Sequence, residues 1–193
     1  MTFAVTGEVV DAPVFLVTGG SRGIGAAVAR AAAREGYAVL LTYADKADRA
    51  GAVVAGIREE GGIADAVRAD CSSGADVAAL FAEVDRRGSL AVLAYSGGIT
   101  GPASTLADAS DETLARVIAV NLTGAMLCGR EAVRRMSQAR GGGGGSIVFV
   151  SSRAAAYGSA GEFVWYAASK GGLDSLATGL AREVGADGIR VNT

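Results

Sequence analysis

One segment constrains the fold of this chain more than any other: Val14-Phe15-Leu16-Val17-Thr18-Gly19-Gly20-Ser21-Arg22-Gly23-Ile24-Gly25, followed by an alanine-rich stretch to Glu35. The first residues are apolar and rich in β formers, and the stretch from Ala26 has good helix propensity. Strand, glycine turn and helix start are the context in which a glycine motif binds phosphate. Gly19 permits the tight turn, while Gly23 and Gly25 would let a pyrophosphate and a neighbouring strand come close to the helix start. The spacing is G-x-x-x-G-x-G rather than G-x-G-x-x-G, and an ordinary glycine-rich turn is the plainer alternative.

The rest of the chain continues the alternation. Strand-like runs fall at 14–17, 38–42, 64–69, 91–95, 146–151 and 189–192, with helical patterns at 24–35, 47–60, 75–87, 111–137 and 163–184. Such alternation predicts an α/β fold, a parallel sheet covered on both faces. Ser73-Gly74-Ala75-Asp76 predicts a capping box at the start of the third helix. Residues 1–13 are expected to be an extension, and residues 14–193 a single domain. The run Gly141 to Gly145 is expected to be a flexible surface loop too short to separate domains.

Composition removes several function classes. There is no histidine, so a Ser-His-Asp triad, a zincin motif and a histidine base are all excluded. The formal charge of -2 gives no basic footprint for nucleic acid. Cys71 and Cys128 have no metal-ligand spacing and suit a reducing, cytoplasmic setting. No apolar run reaches membrane-spanning length, and the start does not resemble a signal peptide.

Two further segments carry chemistry. Tyr166 and Lys170 lie four apart in Tyr166-Ala167-Ala168-Ser169-Lys170, hence on one helix face. A free tyrosine titrates near ~10, and a fixed cation close by favours the phenolate, which brings it toward use as a general acid or base. The same pair also occurs on ordinary solvated helices. Ser146-Ile147-Val148-Phe149-Val150-Ser151-Ser152 reads as a strand that presents Ser152 at its carboxyl end, where open α/β sheets bind ligands. Its plain alternative is a hydroxyl pair capping a turn.

Taken together, these residues resemble the short-chain dehydrogenase/reductase family, in the branch with T-G-x-x-x-G-I-G and Y-x-x-x-K. The resemblance runs from Val14 to Thr193 and includes Asn121 in Val117-Ile118-Ala119-Val120-Asn121-Leu122-Thr123-Gly124. Gly161 to Gly172 is similar to sugar-dehydrogenase-like and ketoacyl-reductase-like members. The resemblance implies a Rossmann-like, doubly wound parallel sheet in three α/β/α layers, here ending after the sixth strand. It also implies an oxidoreductase that moves hydride between nicotinamide and a small carbonyl or secondary alcohol. The full-length form would be a homodimer or homotetramer.

By the same resemblance Tyr166 would give or take the proton, and Lys170 would support the phenol and hold the nicotinamide ribose. Ser152 would donate to the substrate oxygen, and Asn121 would hold a water leading from Lys170 to solvent. Cofactor contacts would come from Gly19, Ser21, Arg22, Gly23, Ile24, Gly25, Tyr43, Asp70, Cys71, Ser96 and Gly98, besides Tyr166 and Lys170. Asp70 matches the aspartate that bonds the adenine amino group, with the Cys71 amide beside it; a capping aspartate is the plain alternative.

NADP(H) is favoured over NAD(H). The position after Val39-Leu40-Leu41-Thr42 holds Tyr43 where an NAD site places a carboxylate. Arg22 matches a cation placed against the 2′-phosphate, which suits a guanidinium fork; a solvated loop charge is the alternative. No metal is expected.

Two departures temper this picture. Relatives have N-N-A-G where this chain has Tyr95-Ser96-Gly97-Gly98, so the packing there must differ. Relatives also continue past Thr193 into a substrate-covering loop, a helix and a last strand. The 193-residue form is therefore expected to bind cofactor weakly and to turn over little, with Ile189 and Val191 partly exposed on an unpaired edge strand. A non-catalytic nucleotide-binding or scaffold protein on the same fold is the alternative function.

Overall fold

The structure is a computed structural model that describes residues 12–193. Most of the expected extension, residues 1–11, lies outside the described residues. Six strands form one parallel sheet: β1 Val14–Thr18, β2 Ala38–Tyr43, β3 Ile63–Arg68, β4 Leu90–Tyr95, β5 Gly145–Phe149 and β6 Ile189–Asn192. Their order is β3-β2-β1-β4-β5-β6. The helices are α1 Gly23–Arg34, α2 Ala47–Glu59, α3 Gly74–Arg87, α4 Asp111–Ile118, α5 Gly124–Met136, α6 Ala154–Tyr157 and α7 Val164–Val184. This is the α/β fold that the alternation predicts, doubly wound as the resemblance implies.

Period-two patterning sorts the core onto two faces. Leu16, Leu93 and Ile147 join Phe81 of α3, Ala132 of α5 and Leu173 of α7 on one side. Val17 and Leu41 pack with Ala29 of α1 and Val53 of α2 on the other. Both faces of the central strands are therefore buried, which is why those strands are apolar throughout. The strand order reverses between β1 and β4, where Thr18 and Tyr95 lie side by side. A crevice outside the carboxyl ends of the strands at such a reversal is where ligands bind in open sheets.

Several expectations are corrected. The helix expected over 111–137 is interrupted by a π turn at Ala119–Thr123. β5 ends at Phe149 rather than 151: Val150 still donates to Tyr95 O, but its own carbonyl is taken by Lys170 Nζ, and the chain turns into α6. Ser73 does cap α3, accepting from Asp76 N–H, but the Asp76 carboxylate takes the Asp70 amide, so the reciprocal half of a capping box is missing. The glycine run is not a free loop. Gly142 N–H bonds Ser137 O, Gly144 N–H bonds Met136 O at 2.7 Å, and Gly145 begins β5. Ile189 and Val191 are buried, because α7 and its neighbours in the larger core cover them although β6 is the sheet's edge.

Candidate active site

The glycine turn is built almost wholly from main chain. Gly19 has φ +66°, a left-handed conformation that favours glycine, and a Cβ there would lie 2.8 Å from Gly97 Cα. A Cβ on Gly25 would lie 2.4 Å from Gly19 O. Thus the turn closes onto the start of α1 at one side and onto the loop after β4 at the other. Two threonines fasten it: Thr42 Oγ1 accepts from Gly19 N–H, and Thr18 Oγ1 accepts from Ser96 and Gly97 N–H. The tie between β1 and the loop after β4 therefore persists without the family's asparagines. Unlike α3 and α4, capped by Ser73 and Ser110, α1 begins at Arg22 with no side-chain cap and no acid in its first turn. That leaves its first amides open to an anion. Arg22 and Ile24 are exposed, and Ser21 is half-buried.

At the far end of β2 Tyr43 is half-buried and pairs in register with Arg68, whose Nε donates to Ala44 O at 3.1 Å. No carboxylate stands at Tyr43 or Ala44. Asp70 lies just past β3. Its carboxylate accepts from Ser72 N–H and O–H, and from Arg116 of α4 at 2.9 Å. Partial burial raises its pKa, but the bonds from Ser72 and Arg116 outweigh it and hold the carboxyl below its ordinary value. Cys71 and Cys128 are both free thiols.

The second group of residues gathers where α7 passes the ends of β4 and β5. Lys170 is buried, and its Nζ donates to Val150 O at 2.6 Å and lies 5.8 Å from the Tyr166 ring centroid. Burial lowers its pKa from 10.5 to about 8, with Asp174 opposing. Ser152 Oγ accepts from Ala154 N–H at 3.2 Å, which caps the turn into α6 through a lone pair and leaves the hydroxyl proton to be donated elsewhere. The capping role and a donor role are compatible. Asn121 is fully buried in the π turn. Its Oδ1 accepts from Ile99 N–H, and its Nδ2 donates to Ile99 O and to Ser169 Oγ. Gly98 stands between the two groups: a Cβ there would lie 3.4 Å from Asn121 Oδ1 and 3.5 Å from Lys170 Nζ.

Sequence reasoning missed several participants. Ser169 binds Asn121 and lies three residues after Tyr166, on the inner side of the same helix. Trp165 donates to Thr100 O at 2.7 Å and pins the loop after β4. Arg116 and Arg68 went unnoticed because each sits among ordinary surface charges; nothing local marks them. Thr18 was visible within the glycine motif itself. A cavity of about 540 Å³ runs along Ser151, Ser152 and Asp174 but includes neither Tyr166 nor Lys170. It touches the site from one side only.

A family model for short chain dehydrogenase matches residues 13–193. The chain belongs to the short-chain dehydrogenase family. It is 47% identical over 180 residues to the uncharacterized oxidoreductase YgfF of Escherichia coli, covering 93% of this chain and 73% of that protein. It is 37% identical to the 3-oxoacyl-[acyl-carrier-protein] reductase FabG of Staphylococcus aureus, covering 92% and 70%. Among solved structures, a short chain dehydrogenase from Burkholderia cenocepacia in complex with NADP matches with a TM-score of 0.86 and 37% identity, covering 94% and 71%. Membership of this dehydrogenase family favours the oxidoreductase reading over the non-catalytic one. The uncapped start of α1 and the glycines that admit no Cβ fit the nicotinamide dinucleotide that such a fold binds.

Proposed function

We propose that this protein is an NADP(H)-preferring oxidoreductase that interconverts a small carbonyl compound and its secondary alcohol. The observation that carries the reading is the buried Lys170 ammonium, which lies 5.8 Å from the Tyr166 ring centroid, bonds Val150 O two residues before Ser152, and shares the space over Gly98 with Asn121. The nicotinamide supplies the hydride chemistry. The chain's own residues handle the proton and the oxygen. Tyr166 donates a proton to the carbonyl oxygen in reduction and takes one in oxidation. Ser152 donates a hydrogen bond to that oxygen as charge develops on it. Lys170 holds the ribose and places positive charge beside the phenol. Asn121 and Gly98 frame the gap through which a water connects Lys170 to solvent.

At the glycine turn, Gly19, Ser21, Gly23, Ile24 and Gly25 hold the pyrophosphate, with Ser96 and Gly98 beneath the nicotinamide half. Asp70 and the Cys71 amide receive the adenine. Arg22, with Tyr43 in place of a carboxylate, favours the 2′-phosphate; that a structural relative is an NADP complex supports this choice. The protein acts in the cytoplasm and self-associates as a homodimer or homotetramer. Support for these comes from the free thiols and from Ile118 and Met126, which are apolar yet 36% and 43% exposed on the α4–α5 run. Among the described residues no helix is long and apolar enough to cross a membrane.

The test is to titrate NADPH and NADH by fluorescence and to measure turnover over a panel of ketones and secondary alcohols. Tighter NADPH binding with carbonyl-dependent oxidation of NADPH is expected. Equal affinities would remove the cofactor preference, and absence of turnover with any partner in the full-length protein would return the scaffold reading. Sedimentation of the same sample reports the oligomer.

A further inference from the structure

Tyr95 ends β4, at the position where relatives have asparagine, and it is the largest of the fully buried side chains. Its ring packs at a tilt against Phe149, 6.4 Å between centroids. Its hydroxyl, which burial obliges to find a partner, donates to Val120 O at 2.5 Å.

That carbonyl lies in the π turn. In an α-helix Val120 O would accept from Gly124 N–H, four residues on. Here Gly124 N–H bonds Ala119 O instead, five residues back. The wide turn has taken away the donor that an α turn would supply, and a buried carbonyl deprived of a donor is costly. The phenol replaces it. The hydroxyl reaches the carbonyl only because residue 124 is glycine: a Cβ there would lie 2.4 Å from it. Burial, ahead of the nearby thiols and Asp70, pushes the phenol well above its ordinary pKa, so it remains a donor across the working range.

The wide turn is what sends the next side chain, Asn121, out of the helix to Ile99 and Ser169. π turns are often found at functional sites. We propose that Tyr95 is a positioning residue for the reaction: its hydroxyl latches the opened turn at Val120 and so aims Asn121 at the proton exit beside Lys170. The inference rests on the reading of Asn121 as part of the proton path.

The experiment is Tyr95→Phe in the full-length protein, which removes one oxygen and keeps the ring. Solvent exchange of the Asn121 side-chain amide protons, followed by NMR without cofactor, should quicken about three- to tenfold, the effect of one lost hydrogen bond. NADPH affinity should stay within about twofold, because the glycine turn is untouched. With NADPH and ethyl acetoacetate or cyclohexanone as probes, kcat should fall by a similar three- to tenfold. KM should hold, and the pH profile of kcat should move. A lowered melting temperature with unchanged Asn121 exchange and an unchanged pH profile would overturn the latch and leave Tyr95 a core residue. Should Tyr95→Phe not fold, Gly124→Ala keeps the phenol but displaces its hydroxyl, and because its Cβ would also lie 2.9 Å from Cys71 O only Asn121 exchange is read from it; faster exchange supports the latch, and unchanged exchange overturns it. Quickened exchange with unaltered kcat, together with full turnover in Asn121→Ala, would mark the failure of the Asn121 reading and not of the latch geometry.

Discussion

The two ends of the site are made of different material. The glycine turn at the head of α1 is a backbone device: Gly19 and Gly25 count because of atoms they lack, and Thr18 and Thr42 hold the loops by their hydroxyls. The proton end is a side-chain device, in which Asn121 and Lys170 donate to the carbonyls of Ile99 and Val150 and Asn121 also donates to the Ser169 hydroxyl. A backbone device binds any ligand with the right charge and shape. A side-chain device does one job, and each atom of it can be removed singly. Damage to the two should therefore look different, loss of binding in one case and loss of rate in the other.

The largest effect should come from Gly25→Ala. Its Cβ would meet only backbone, Gly19 O at 2.4 Å and Gly20 Cα at 3.1 Å, so the loop must move as a whole. NADPH binding measured by fluorescence should be lost by about 100-fold or more, the scale of several broken charge-assisted bonds. Normal affinity in this variant would break the comparison at its root. Next in size, Tyr166→Phe should cut turnover by about 100-fold or more and leave NADPH affinity nearly unchanged. Lys170→Ala should harm both, since the lysine belongs to both ends.

A third prediction concerns pH and the cofactor-free protein. Lys170 titrates at about 8 in the folded state against 10.5 ordinarily. Between those values the unfolded chain holds the proton that folded Lys170 has lost, so the contribution of Lys170 to stability rises with pH across that window and is flat below it. Cys128 and Tyr95, whose pKa values are raised in the fold, pull the other way. Measured by urea unfolding as the difference between the protein and Lys170→Met, the Lys170 contribution should rise by on the order of 3 kcal/mol. An identical pH dependence in the protein and in Lys170→Met would show that the ammonium is not buried as described. The smallest effect is expected at Arg22, an exposed charge: Arg22→Ala should reduce the preference for NADPH over NADH by roughly 1–3 kcal/mol. An unchanged preference would pass the role to Arg68, which reaches the same corner from β3.

The same contrast explains what could be read in the sequence. The backbone device was legible because its function is written as composition: glycines at fixed offsets between a β-rich run and an alanine-rich one. The sheet, its helices and its faces followed from hydrophobic period. The proton end was legible only as a set of residues. Tyr166 and Lys170 share a face by spacing alone, but nothing in Val120-Asn121-Leu122 says that the helix opens there. The one hint is an asparagine buried where a helix needs an apolar residue. Tyr95 looked only like a departure from the relatives' N-N-A-G, since a β-strand's residue types do not tell which carbonyl a phenol will find. The edge strand misled in the opposite sense: Ile189 and Val191 looked exposed because the long reach of α7 over them cannot be seen from the strand itself.

Arg116 ties the corner at Asp70 to the helical run that carries Asn121. From α4 it bonds the Asp70 carboxylate and the Ser72 hydroxyl, and it stands five residues before Asn121 on the same helical run. A strap between two sites works in both directions, because coupling of equilibria is reciprocal. On the proposed reading, a ligand at Asp70 competes for the carboxylate that Arg116 holds. On that reading too, the adenine corner and the proton exit are joined through one exposed arginine, a link worth at most about 1 kcal/mol.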